Sequence, residues 1–136
     1  MFSGAATRQE TFLSEASSYL SLCVDNDFWG LLPAEGKSER IAAISLEEQA
    51  LDSFSNLLFS IVRFWHSTHT WPEKITIVSQ GFKKNRFLGC HVKAIRWPIE
   101  RITFTGATPW SVDAVRWDEE RVVEIKKAEY RNVSKS

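Results

Sequence analysis

Apolar residues recur at three- and four-residue steps across residues 46–65: Leu46, Ala50, Leu51, Phe54, Leu57, Leu58, Ile61, Val62 and Trp65. That is the period of an amphipathic helix, and it predicts one from about Leu46 to Trp65. Ser45 and Glu48 fit a capping box at its start, each side chain reaching the other's free amide. Upstream, Leu13, Ala16, Leu20 and Cys23 fall on one face of another helix, and "RIAAIS" (40–45) reads as a short buried strand. Phe2 and Ser3 read as the stub of a further strand. Downstream, "THTWPE" (68–73) is a loop in which Pro72 blocks helix continuation. The run Ile75, Ile77, Val78 predicts a strand at 74–79. A helix from about Lys83 to Arg96 follows, buried through Phe87, Leu88, Val92 and Ile95. Pro98 closes it, and "RITFTG" (101–106) is the last clear strand.

Strands alternating with helices of this length imply βαβ units, and those imply a parallel sheet covered on both faces. The expected architecture is α/β: a Rossmann-like three-layer fold with a mainly parallel sheet, spanning residues 1–106. The charged tail, 107–136, reads as a helix through "VRWDEERVVEIKKAEY", with a hairpin at "DEER" as the alternative.

Composition narrows the classes. The 136 residues suit one domain, and 43% hydrophobic residues with six Trp and nine Phe are enough for a core. No apolar run approaches the roughly 20 residues of a membrane helix, and the N-terminus has no secretory pattern. Cys23 and Cys90 fit no metal spacing, which points to reduced thiols in a cytoplasmic protein. Residues 1–60 hold three Lys/Arg against nine Asp/Glu, and residues 61–136 hold fourteen against eight. The basic excess is too small for a nucleic-acid surface.

Phosphate fingerprints and the nucleophile-elbow motif are absent. His66 and His69 lack the further ligands that a metal would need. Cys90 beside His91 makes a poor nucleophile pair, because adjacent helical residues point in different directions. A convergence of loops is more informative. Ser3, Gly4 and Arg8 follow the strand stub. Glu47 and Ser53 lie near the start of the long helix. In "VSQGFKKNRF", Gly81 and Lys83 follow the strand at 74–79. All three loops open at carboxyl ends of parallel strands, where α/β folds bind ligands. Amides, hydroxyls, a carboxylate and cations would meet there, suiting a phosphate- or carboxylate-bearing ligand.

Those loops, in order, resemble the YdcF-like family, a domain of unknown function. "FSGAATR" with "SEA", then E-x-x-x-x-D-S-x-x-N, then "VSQGFKKNRF" carry the resemblance, over about residues 2–106. "DSFSNLLFSI", "FKKNRF" and "AIRWP" are similar to stretches of fungal members. The family's Ser-Gly-Gly turn falls on Ser3, Gly4 and Ala5, with the second glycine replaced. Its Ser-Glu-Ala falls on Ser14, Glu15 and Ala16. Its Glu and Thr-x-Glu-Asn fall on Glu47 and on Ser53, Ser55 and Asn56, with the carboxylate lost at Ser55. Its Thr-Ser-x-x-His-x-x-Arg falls on Ser79, Gln80, Lys83 and Arg86. Lysine at 83 brings charge without a proton shuttle near pH 7.

The resemblance implies binding of a small anionic ligand, nucleotide- or S-adenosylmethionine-like, by Ser3, Gly4, Arg8, Glu15, Glu47, Ser53, Asn56, Ser79, Lys83 and Arg86. It also implies a shortened member, since the family's opening βα unit precedes the Ser-Gly-Gly loop. An exposed sheet edge would then be open to self-association. The rival expectations are a hydrolase or transferase acting on a phosphorylated or activated metabolite, with Glu47 as general base, and an interaction protein without catalysis.

Overall fold

The computed structural model describes residues 1–6 and 12–107. Arg8 and the tail beyond Ala107 lie outside the described residues, and the predicted tail helix with them. The chain mixes helices with parallel strands, an α/β arrangement. Strand β1 (Phe2–Ser3) is followed by helices α1 (Glu15–Asp25) and α2 (Lys37–Ala42), strand β2 (Leu46–Glu47) and helix α3 (Ser53–Thr68). Strand β3 (Ile75–Gln80), an irregular helical segment at 81–94 and strand β4 (Ile102–Ala107) complete the order. The strands form two hydrogen-bonded pairs, β1 with β2 and β3 with β4, both parallel.

The long apolar period is a helix over only part of its predicted length. Leu46 and Glu47 pair with Phe2 and Ser3 as β2, so the helix cannot begin there. It begins at Ser53, where Asp52 stands in extended backbone and accepts from the Ser55 amide at 2.7 Å. That bond satisfies one of the free N–H groups at a helix start. The capping box does not form, because the Glu48 carboxylate accepts from Ser14 Oγ at 2.5 Å. At the other end, His69 adopts a left-handed conformation (φ 55°) and gives its N–H to the Trp65 carbonyl at 2.7 Å. His69 thus closes the helix, a role glycine or asparagine usually fills.

The strand predicted at 40–45 is also corrected. Residues Lys37–Ala42 are helical. Ile41 and Ile44 stand three apart, and the two alanines between them favour helix. The helix predicted at 83–96 exists but is uneven. A 3₁₀ turn (Gly81–Lys83) leads into one turn of α-helix, a π-turn (Phe87–His91) and a last α turn (Val92–Ala94).

Strands β3 and β4 alternate as a half-buried pair should. Ile75, Ile77, Ile102 and Phe104 pack inward against Leu57, Ile61, Phe87 and Val92, while Val78 on the opposite face is 68% exposed. Phe87 and Phe104 meet with ring centroids 5.8 Å apart. The chain leaves β3 through a close approach of two backbones. A Cβ on Gly106 would stand 2.9 Å from the Gly81 Cα, so position 106 needs to be glycine.

Candidate functional site

Around β1 and β2 the contacts are mostly polar. The Gly4 amide donates to the Glu47 carbonyl and the Ala5 amide to the Ala50 carbonyl, at 2.9 and 2.8 Å. The amides of Glu15 and Ala16 return to the carbonyls of Ala5 and Gly4. Residues 4 and 5 therefore run between the β2 loop and the start of α1. Gly4 has φ 152°, and a Cβ there would lie 2.8 Å from Glu15 Oε2. Glycine is required at this crossing, and Ala5 beside it is buried.

Glu47 is the centre of the network and is only 5% exposed. Its Oε1 accepts from the amides of Gln49 and Ala50 at 2.7 and 3.1 Å, and its Oε2 accepts from Ser3 Oγ at 2.5 Å. A buried carboxylate is tolerated because its oxygens are supplied with donors in this way. Asn56 closes the triangle, with its side-chain amide 3.0 Å from Ser3 Oγ. Ser3 has one proton, and the bond to Glu47 uses it. The consistent amide orientation therefore turns the Asn56 NH₂ toward Ser3 Oγ. With both oxygens accepting hydrogen bonds, Glu47 ties β1 to the loop that follows β2.

One helical turn before Asn56, Ser53 Oγ lies 2.9 Å from His91 Nε2. Edge-to-face contacts with Phe54 and Phe87, at 5.6 and 5.3 Å, fix the imidazole. Burial pushes the His91 pKa below its ordinary value, helped by the positive charge of Arg86 and opposed by Asp52. The ring is therefore neutral near pH 7. The neighbouring Asp52 carboxyl is held below the usual range, chiefly by the Ser55 amide.

The N-terminal turn of α3 thus touches both strand pairs' loops: Asn56 reaches β1, and Ser53 reaches the segment after β3. Of the residues picked from sequence, Ser3, Glu47 and Asn56 meet directly. Ser53 joins them through the same helical turn, and Arg86 enters through its charge on His91. Lys83 is half-buried, with Nζ 5.9 Å over the Phe82 ring. Ser79 is half-buried in β3 opposite Gly106. Glu15 is exposed and accepts from the Tyr19 hydroxyl at 2.9 Å. Sequence reasoning missed His91 as a member of this site. The available signal was its place four residues after Phe87, which packs the segment onto α3.

No cluster that could hold a metal ion occurs among the described residues, and no helix among them is long and apolar enough to cross a membrane. No family model matches the chain, and no solved structure matches it. The chain is similar to the uncharacterized protein YOR238W of Saccharomyces cerevisiae, 48% identical over 67 residues. The match takes in 49% of this chain and 22% of the yeast protein, so the chain spans about a fifth of that relative's length.

Proposed function

We propose that the chain binds a small anionic ligand, phosphate- or carboxylate-bearing, at the loops that meet the N-terminal turn of α3. The observation that carries this reading is the joining of three loops at one turn, through Ser3 to Asn56 and Ser53 to His91. Parallel strands deliver those loops from their carboxyl ends, the usual place for ligands in such folds. Arg86, whose charge acts on His91, gives the region positive potential, and Lys83 lies three residues before it. The YdcF-like resemblance supports the same reading, and with it a Rossmann-like three-layer arrangement and a nucleotide- or S-adenosylmethionine-like ligand. The similarity to the yeast protein adds no activity, since that protein is itself uncharacterized.

The test is thermal unfolding with inorganic phosphate, AMP and S-adenosylmethionine, each from micromolar to millimolar. A ligand at 100 times its Kd adds about 2.7 kcal/mol of stability, a rise of several degrees. An anionic compound that raises Tm in the wild type, and less in Arg86→Ala, supports the reading. Equal effects in both proteins, or none from any anion, overturn it.

A further inference from the structure

Three observations single out one pair within this region. Ser53 Oγ is at hydrogen-bond distance from His91 Nε2. The Phe54 and Phe87 rings hold the imidazole edge-to-face from two sides. His91 also ends a π-turn, an irregularity found frequently at functional sites. A serine at the start of a helix needs no such partner, because Asp52 already caps α3.

We propose that Ser53 is a nucleophile and His91 its general base, hydrolysing carboxylic esters that carry an anionic group. With the imidazole proton on Nδ1, Nε2 accepts the Ser53 proton, the arrangement a serine nucleophile requires. Desolvation keeps the ring neutral and able to take that proton near pH 7. Ser53 Oγ bonds to the acyl carbon as its proton passes to Nε2. The bond to the leaving alcohol breaks, and the alcohol departs with that proton. Water then gives a proton to Nε2 and bonds to the acyl carbon. The Ser53 ester breaks, Oγ recovers the proton and the carboxylic acid leaves. Asp52 and Arg86 are the charged groups acting on His91. Of these two, Arg86 carries the positive charge that would favour an anionic substrate. The preference for anionic esters rests on the binding reading above; the nucleophile does not.

The experiment treats the full chain with a fluorophosphonate probe and locates the adduct by peptide mass spectrometry. Turnover of p-nitrophenyl acetate and of the corresponding succinate half-ester is followed alongside. The expected result is one adduct, on Ser53, absent in Ser53→Ala and formed about 10²-fold more slowly in His91→Ala. Ser67→Ala, on the exposed far end of α3, labels as the wild type does. An adduct elsewhere, no adduct on the folded wild type, or unchanged labelling of a folded His91→Ala overturns the proposal. Localisation on the wild type needs no variant, so a misfolded variant leaves the test intact. Faster turnover of the half-ester supports the anionic preference; equal turnover leaves Ser53 as nucleophile and overturns the preference alone.

Discussion

The two strand pairs are held together by different forces. Around β3 and β4 the cohesion is apolar: Leu57, Ile61, Phe87 and Val92 are buried and the strands add isoleucines and Phe104. Around β1 and β2 the buried residues are mostly small or polar, namely Ala5, Ala16, Ala50, Ser14 and Glu47, with Phe28 the large apolar exception. Six-residue strands with one apolar face gain stability from burial, whereas two-residue strands rely on hydrogen bonds around a single carboxylate. The apolar half can therefore act as a frame. The polar half depends on its hydrogen bonds, at lower intrinsic stability.

The comparison breaks most readily at Phe87. Phe87→Ala should cost about 3–5 kcal/mol, because it opens a cavity between α3 and the β3–β4 pair. Urea unfolding should show the loss in the global transition. Glu47→Ala should cost about 1–3 kcal/mol, since it strands the amides of Gln49 and Ala50 and the Ser3 hydroxyl. Hydrogen exchange should find that loss at the Gly4 and Ala5 amides, with β3 and β4 protected as before. If β3 loses protection equally, the two halves form one cooperative unit and the distinction fails. Asp52→Ala should cost about 1 kcal/mol as a lost cap, read as a shift in the urea midpoint.

The gentlest probe is pH. His91 has a lower pKa folded than unfolded, so the folded state binds its proton less readily. Its contribution to stability is present above the unfolded value of 6.5 and is lost as pH falls through the folded one. Between pH 7.5 and 5 the wild type should lose stability that His91→Phe keeps. Parallel pH curves for the two proteins would show that His91 is not desolvated on folding.

What the sequence disclosed follows the same division. The strands at β3 and β4 and the body of α3 were readable, because each carries an apolar period over six residues or more. Residues 40–50 were not. Four apolar residues from Ile41 to Ile44 fit either a strand or a helix turn, and periodicity cannot choose between them. The cap signal read from sequence, Ser45 with Glu48, stood seven residues before the actual cap, Asp52. The choice depended on Glu48 bonding Ser14, a partner 34 residues away. The site shows the same limit. Ser3 and Glu47 could be grouped because their strands place them at one end, and Asn56 was added by the resemblance. His91 could not, since its link to Ser53 depends on how a π-turn rotates the segment beneath Phe87.

The strand registers also set an order of events when the chain folds. Ser3 and Glu47 are 44 residues apart in sequence, whereas β3 and β4 close from Ile75 to Ile102, 27 residues. Loop-closure entropy grows only with the logarithm of length, so this difference is worth about 0.4 kcal/mol. The return on closure differs far more: a six-residue ladder over an apolar face against a two-residue ladder around a carboxylate. The transition state should therefore contain β3, β4 and the middle of α3, with β1 docking afterwards. Leu57→Ala would then slow folding, and Ser3→Ala would chiefly speed unfolding.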